Sequence, residues 1–241
     1  VESVNVRGLK MVAEEFTVMV MALIQPDGER LIYVWPPVGG AHLQINPEDI
    51  NLGLWPQAGW LHTSGICLRG EPARSTILDS MAQARRLGWS VSIDLNLRQE
   101  SWGLDEGTRQ TFQQAIALSD IVFGNAEEEM LPISGASSIE AAAKSISDQK
   151  RIVVARLGVQ GALVCSPDDI VQSPAFPAEV VDTLGAGDAF NAGFIAAQLM
   201  GKNSLDAARW GNAVAALKIE RPGARGLPTR AELEAKLRSS P

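Results

Sequence analysis

The run VDTLGAGDAFNAGF, residues 181 to 194, decides the fold of this 241-residue chain. An apolar approach at Val180 and Val181 meets Gly185-Ala186-Gly187, and a helical pattern follows at once. This spacing predicts a strand that enters a tight turn and leaves as a helix. Glycines let backbone amides face a ligand with no Cβ in the way, and the unpaired amides and dipole of a helix start attract an anion. Asp188, in the first turn, then holds a carboxylate beside that anion, placed to take a proton from a hydroxyl attacking a phosphoryl group. The bland alternative is a tight turn with an acid that suits the helix dipole. Two sharper alternatives fail on residues. A dinucleotide fingerprint needs a third Gly or Ala where Phe190 stands, and a Walker loop needs Ser or Thr where Asn203 follows Gly201-Lys202.

Working outward, short apolar runs alternate with helical patterns from about residue 58 to Gly158: WLHTSGICL, VSIDLNL, DIVFGN and RIVVARLG, each separated by a helical segment. Such alternation argues an α/β fold with a mostly parallel sheet covered on both faces, and ligands gather at the carboxyl ends of its strands. After Gly158 two short strands, two long helices and a closing helix are expected. The helix from residue 185 to 200 is apolar almost all round and is expected to be buried. Near the start, FTVMVMALIQ and RLIYVWP flank Asp27-Gly28 and read as a hairpin. The expected organisation is a partial β lid at 16–40, with 1–15 and 41–241 forming the body.

Composition narrows the function. With 46% apolar and 20% charged residues the chain is globular, and its net charge of -7 repels nucleic acid and anionic membranes. Cys67 and Cys165 are too few for a disulfide framework, and His42 and His62 too few for a metal site. No apolar run reaches the length of a membrane span. A cytoplasmic protein with no membrane or nucleic-acid partner is expected.

The string from Asp182 to Phe190 resembles the DTxGAGDxF motif of the ribokinase-like, or PfkB, carbohydrate kinases. The resemblance implies a three-layer α/β/α fold with a small β lid, ATP and Mg²⁺ as cofactors, and a sugar as acceptor. It makes Asp188 the base and the amides of Gly185, Ala186, Gly187 and Asp188 the anion hole. Three further places follow in that family's order. Asp94-Leu95-Asn96-Leu97-Arg98, with Trp102 after it, resembles the DxNxR…W run of fructokinase-like and 2-keto-3-deoxygluconate kinase-like members, which assigns Asn96 and Arg98 to substrate. Asp94 taken alone reads equally well as a surface ion pair. Asn125-Ala126-Glu127-Glu128 matches NxxE, which implies that Asn125 and Glu128 organise Mg²⁺ partly through water. Glu127 and Glu129 taken alone read as a solvated helix start.

Arg156, Gly158 and Gly161 resemble the loop along the nucleotide phosphates, and Asn212 and Gly223 match positions near the adenine. For members that use a monovalent cation such as K⁺, the resemblance places it on carbonyls of Asp182, Leu184 and Gly223. Two departures stand out. Members usually begin with a strand and a Gly-Gly-Asn segment ahead of the hairpin, and this sequence starts at VESVNVRGLK, as expected of one that omits part of a longer protein. After Tyr33, Val34-Trp35-Pro36-Pro37 replaces the arginine that holds a sugar acid, which leans toward a neutral sugar. The lid implies a homodimer. A nucleoside or phosphosugar kinase of the same family, and a noncatalytic sugar- or nucleotide-binding form, are the other readings.

Overall fold

In the computed structural model residues 4–24, 30–36, 39–54, 59–99 and 103–239 are described. They fall into two compact units, Val1–Val91 with Arg98–Leu118, and Ser92–Leu97 with Ser119–Pro241.

The first unit carries the hairpin. Strand β1 (Met19–Ile24) pairs antiparallel with β2 (Arg30–Trp35), from Met19 opposite Trp35 to Ile24 opposite Arg30. The Asp27-Gly28 turn lies outside the described residues, as do Pro37 and Trp102. Further on come β3 (Trp60–Ser64), α1 (Ala73–Arg86) and α2 (Glu106–Ala117). Ala73, Ile77, Met81 and Ala84 recur at helical spacing along α1 and are all buried, which is the stripe that fixes its face. Helix α2 starts where the Asp105 side chain accepts from the Thr108 amide at 2.7 Å, satisfying a first-turn donor.

The second unit holds the rest of the sheet. Strand β4 (Ser90–Asp94) begins in the first unit and ends in the second, and β5 (Ile121–Asn125) and β6 (Ile152–Arg156) run parallel to it. Strands β7 (Ala162–Cys165) and β8 (Ile170–Ser173) continue antiparallel, giving the order β3-β4-β5-β6-β7-β8. Val91 to Asp94, Ile121 to Gly124 and Val153 to Ala155 are buried without alternation, as strands covered on both faces must be. Helices α3 (Leu131–Ser134), α4 (Ile139–Ser147), α5 (Ala186–Leu199), α6 (Ser204–Ile219) and α7 (Arg230–Arg238) complete the unit. Phe194 on α5 meets Phe123 of β5 edge to face, with ring centroids 5.2 Å apart.

Gly161, with φ 94°, turns the chain from β6 into β7. A Cβ there would lie 2.1 Å from the Ser173 carbonyl oxygen, so only glycine fits between β7 and the end of β8.

Two expectations need correction. No strand leads into Gly185; residues 174–180 are irregular, and the Val181 and Asp182 amides donate instead to the Ile219 carbonyl at the end of α6. Those amides find a helix terminus with free carbonyls in place of a sheet edge. Helix α5 is also not buried all round. Phe190, Asn191, Phe194 and Ala197 face inward, whereas Ala192, Ala196 and Leu199 are exposed. Alanines reveal little about which face is inside, because either environment accepts a methyl group. Among the described residues no helix is long and apolar enough to cross a membrane.

Candidate active site

Parallel register aligns three polar residues at the carboxyl ends of adjacent strands. Asp94 closes β4, and Asn125 and Arg156, which close β5 and β6, lie directly opposite each other. Arg156 reaches Asp94 with both terminal nitrogens, Nη1 to Oδ2 at 3.1 Å and Nη2 to Oδ1 at 2.9 Å. This two-pronged pairing fits a planar guanidinium to a carboxylate. Nη1 also donates to Asn191 Oδ1 at 2.8 Å, and Asn191 Nδ2 donates to Asp94 Oδ2 at 2.7 Å. Glu129 adds a second carboxylate, its Oε2 3.7 Å from Nη2 and accepting from the Asn125 amide at 2.8 Å. Burial works against the Arg156 charge, but Asp94, Glu129 and Asp188 outweigh it and hold the guanidinium above its ordinary pKa.

Directly over this network sits the glycine turn. Gly185 precedes α5 with φ 77°, a conformation suited to glycine, and no side chain caps the helix. The Ala186 amide is taken by the Thr183 carbonyl at 3.1 Å, so the donors left for an anion come chiefly from Gly187 and Asp188. A Cβ on Gly187 would stand 3.4 Å from Arg156 Cζ, so the guanidinium lies immediately behind the turn. Asp188 is exposed on the first turn. A cation behind, amides at the surface and a carboxylate alongside are the features that suit an anion at a helix start.

The stretch before the turn is pinned from three sides. Asp182 accepts from the Leu184 amide through Oδ1 and from the Gly223 amide through Oδ2, both at 2.9 Å. Lys218 Nζ donates to the Asp182 carbonyl at 2.8 Å. Ala224 lies 3.7 Å from the position of a Cβ on Gly185, so the 223–224 loop borders the turn.

The other expected residues divide. Asn125 is a cap: its Oδ1 accepts from the Glu127 and Glu128 amides at 2.9 and 3.0 Å, opening a π-helical turn at Ala126–Met130. Glu128 is exposed. Glu129 is not solvated as its neighbours are; the wide π turn swings it inward, where it is 3% exposed against Arg156. Asp94 likewise belongs to a buried pair and not a surface one. Arg156 itself sits behind the turn with its end nitrogens engaged by Asp94 and Asn191, and Gly158 opens a short helical turn just beyond it. Asn96 holds φ 41°, a left-handed conformation that asparagine tolerates better than most residues. Arg98 is exposed and belongs to the first unit. Asn212 points its amide nitrogen at Ser173 Oγ and the Ser173 and Pro174 carbonyls, tying α6 to the end of β8. Sequence reasoning missed Asn191. A lone polar residue three positions after Asp188, in an otherwise apolar stripe, was its only local sign.

A family profile described as pfkB family carbohydrate kinase matches residues 2–230. The chain belongs to the pfkB family. Among pfkB relatives, a fructokinase of Klebsiella pneumoniae is 32% identical over 197 residues, 81% of this chain and 63% of that protein. A 2-dehydro-3-deoxygluconokinase of Escherichia coli is 31% identical over 206 residues, 82% of this chain and 66% of that protein. The chain thus spans about three fifths of the length of the first curated relatives it matches. A crystal structure of Vibrio cholerae fructokinase with fructose, ADP and calcium superposes with a TM-score of 0.78 at 32% identity, covering 90% of this chain and 73% of that one. A double mutant of the same fructokinase, with the same TM-score and identity, contains potassium. The pfkB assignment and the ribokinase-like α/β fold expected from the Asp182–Phe190 string therefore both hold.

Proposed function

We propose that this chain acts as an ATP-dependent sugar kinase, which moves the γ-phosphoryl group of ATP to a sugar hydroxyl. The observation that carries this reading is the uncapped turn at Gly185–Asp188 backed by the buried Arg156 guanidinium. The Gly187 and Asp188 amides would receive the transferred phosphoryl group, and the exposed Asp188 carboxylate would take the proton of the attacking hydroxyl. Arg156 supports the field behind the turn while remaining tied to Asp94.

Mg²⁺ supplies charge neutralisation on the phosphates when bound. Such an ion keeps several waters and needs only one or two protein carboxylates. Among the described residues no group of three His, Cys, Asp or Glu side chains forms a metal cage. The exposed Glu128 just after β5 fits the looser demand, and Asn125 contributes by fixing the turn that carries it. Gly158, Gly161 and Gly223 are assigned to the nucleotide side, with Asn212 supporting it through α6. Asn96 and Arg98 are assigned to the sugar.

The test is a coupled ADP-release assay on this chain across neutral sugars, sugar acids, phosphosugars and nucleosides with MgATP. Turnover with a neutral sugar is expected. Turnover with a nucleoside or phosphosugar alone would move the acceptor class, and binding without turnover would favour the noncatalytic form.

We also propose that the hairpin pairs with a second copy. Met19, Val20, Met21, Tyr33, Val34 and Trp35 are all exposed, and neighbours along a strand point to opposite faces, so both faces of the ribbon carry bare apolar surface. Light scattering at micromolar concentration should give a dimer mass, and a monomer would overturn the pairing.

A further inference from the structure

Lys218 is fully buried in the last turn of α6, and its Nζ donates to the Asp182 carbonyl at 2.8 Å. An ammonium is costly to bury unless something answers its charge. Two features do so here. The carbonyl ends of α6 carry the negative pole of the helix, and the loop carbonyl of Asp182 completes the contact. The same aspartate is held at its amide by Ile219 and at both carboxylate oxygens by the Leu184 and Gly223 amides. Asp182 is therefore the anchor from which the Gly185–Asp188 turn is presented, and Lys218 is the cation on that anchor.

The Asp182 carbonyl is also one of the oxygens on which a monovalent cation was expected. A potassium ion placed on it would share its ligand with a fixed positive charge, in a buried setting where like charges are poorly screened. The residues present do not fit a monovalent metal ion at this carbonyl. We propose that the Lys218 ammonium stands in for that ion, giving the turn a built-in positive charge and freeing the chain from potassium. Its consequence for phosphoryl transfer rests on the kinase reading; the claim about the cation does not.

The experiment compares potassium, sodium and tetramethylammonium chloride at matched ionic strength. Thermal midpoint and the affinity for a non-hydrolysable ATP analogue with Mg²⁺ are read in each. For the native chain both values should be the same in all three salts. Lys218→Ala opens a space next to the carbonyl and should show a lowered midpoint that potassium partly restores and tetramethylammonium does not. Lys218→Met keeps most of the stem without the charge; it should stay folded and lose about tenfold in nucleotide affinity in every salt, the scale of one charge-assisted hydrogen bond.

A potassium-specific rise in midpoint or affinity in the native chain overturns the proposal, as does a folded Lys218→Met variant of unchanged affinity. If Lys218→Ala does not fold in any salt, the native chain and Lys218→Met still decide. If no acceptor is phosphorylated in any assay, the kinase reading falls and the midpoint comparison still tests the cation.

Discussion

Replacing Asp188 by asparagine should lower phosphoryl transfer by about 10²–10⁴-fold, the range associated with losing a positioned general base. Thermal midpoint and nucleotide affinity should stay close to those of the unaltered chain. Asp188 is exposed at the first turn of α5, so its removal leaves no buried partner stranded. Asparagine preserves the shape and keeps the amides of the turn in place, but cannot accept the hydroxyl proton. Single-turnover measurements with saturating MgATP give the cleanest comparison. Turnover within a few-fold of the parent would mean that another group removes the proton. A collapse of nucleotide affinity would mean that Asp188 serves the turn instead of the chemistry.

Replacing Arg156 by methionine should act differently, costing about 3–5 kcal/mol of stability, the usual consequence of removing one partner from a buried ion pair. Asp94 and Glu129, 5% and 3% exposed, would be left as buried carboxylates facing each other across the space once filled by the guanidinium. Asn191 would lose an acceptor contact as well. Urea titration reads the loss directly. Adding Asp94→Asn to Arg156→Met should restore part of the stability at neutral pH, because one of the two unpaired charges is gone. A double variant less stable than Arg156→Met would show that Asp94 has another essential partner. Lysine at 156 would keep the charge yet lose the paired donors, so Arg156→Lys should fall between the parent and Arg156→Met.

The residues of the site that could be read from the sequence are those whose role depends on local chain geometry. Gly185, Gly187 and Asp188 are informative because a helix start, a glycine turn and an acid in the first turn have the same meaning wherever they occur. Asp94, Asn125 and Arg156 were found because a strand's carboxyl end is visible in hydrophobic patterning. What each of them touches was not visible. Arg156 was assigned to phosphate, and the fold gives its end nitrogens to Asp94 and Asn191. Glu127, Glu128 and Glu129 look alike in sequence; only the π turn decides that the third of them faces inward. Lys218 follows the same rule. A lysine near the end of a helix reads as a surface cation suited to the dipole, and nothing local indicates that the Asp182 loop closes over it. At the level of the fold, the apolar strands were legible, whereas the strand expected ahead of Gly185 was not formed because its amides found the end of α6.

The knot of charge behind the glycine turn also bears on how the chain acquires its shape. Asp94 is 62 residues from Arg156 and 97 from Asn191, so closing that knot requires contacts among the most distant in sequence within the second unit. Contacts of such separation form slowly, after local strand and helix pairings are in place. Strands β4 to β6 can associate before α5 exists, with Arg156 and Asp94 already joined. The turn that presents Asp188 arrives only with the carboxyl-terminal third of the chain. During synthesis, then, Asp94 and Arg156 emerge before the glycine turn does, and a nascent chain stopped before α5 carries both partners of the ion pair without Asp188.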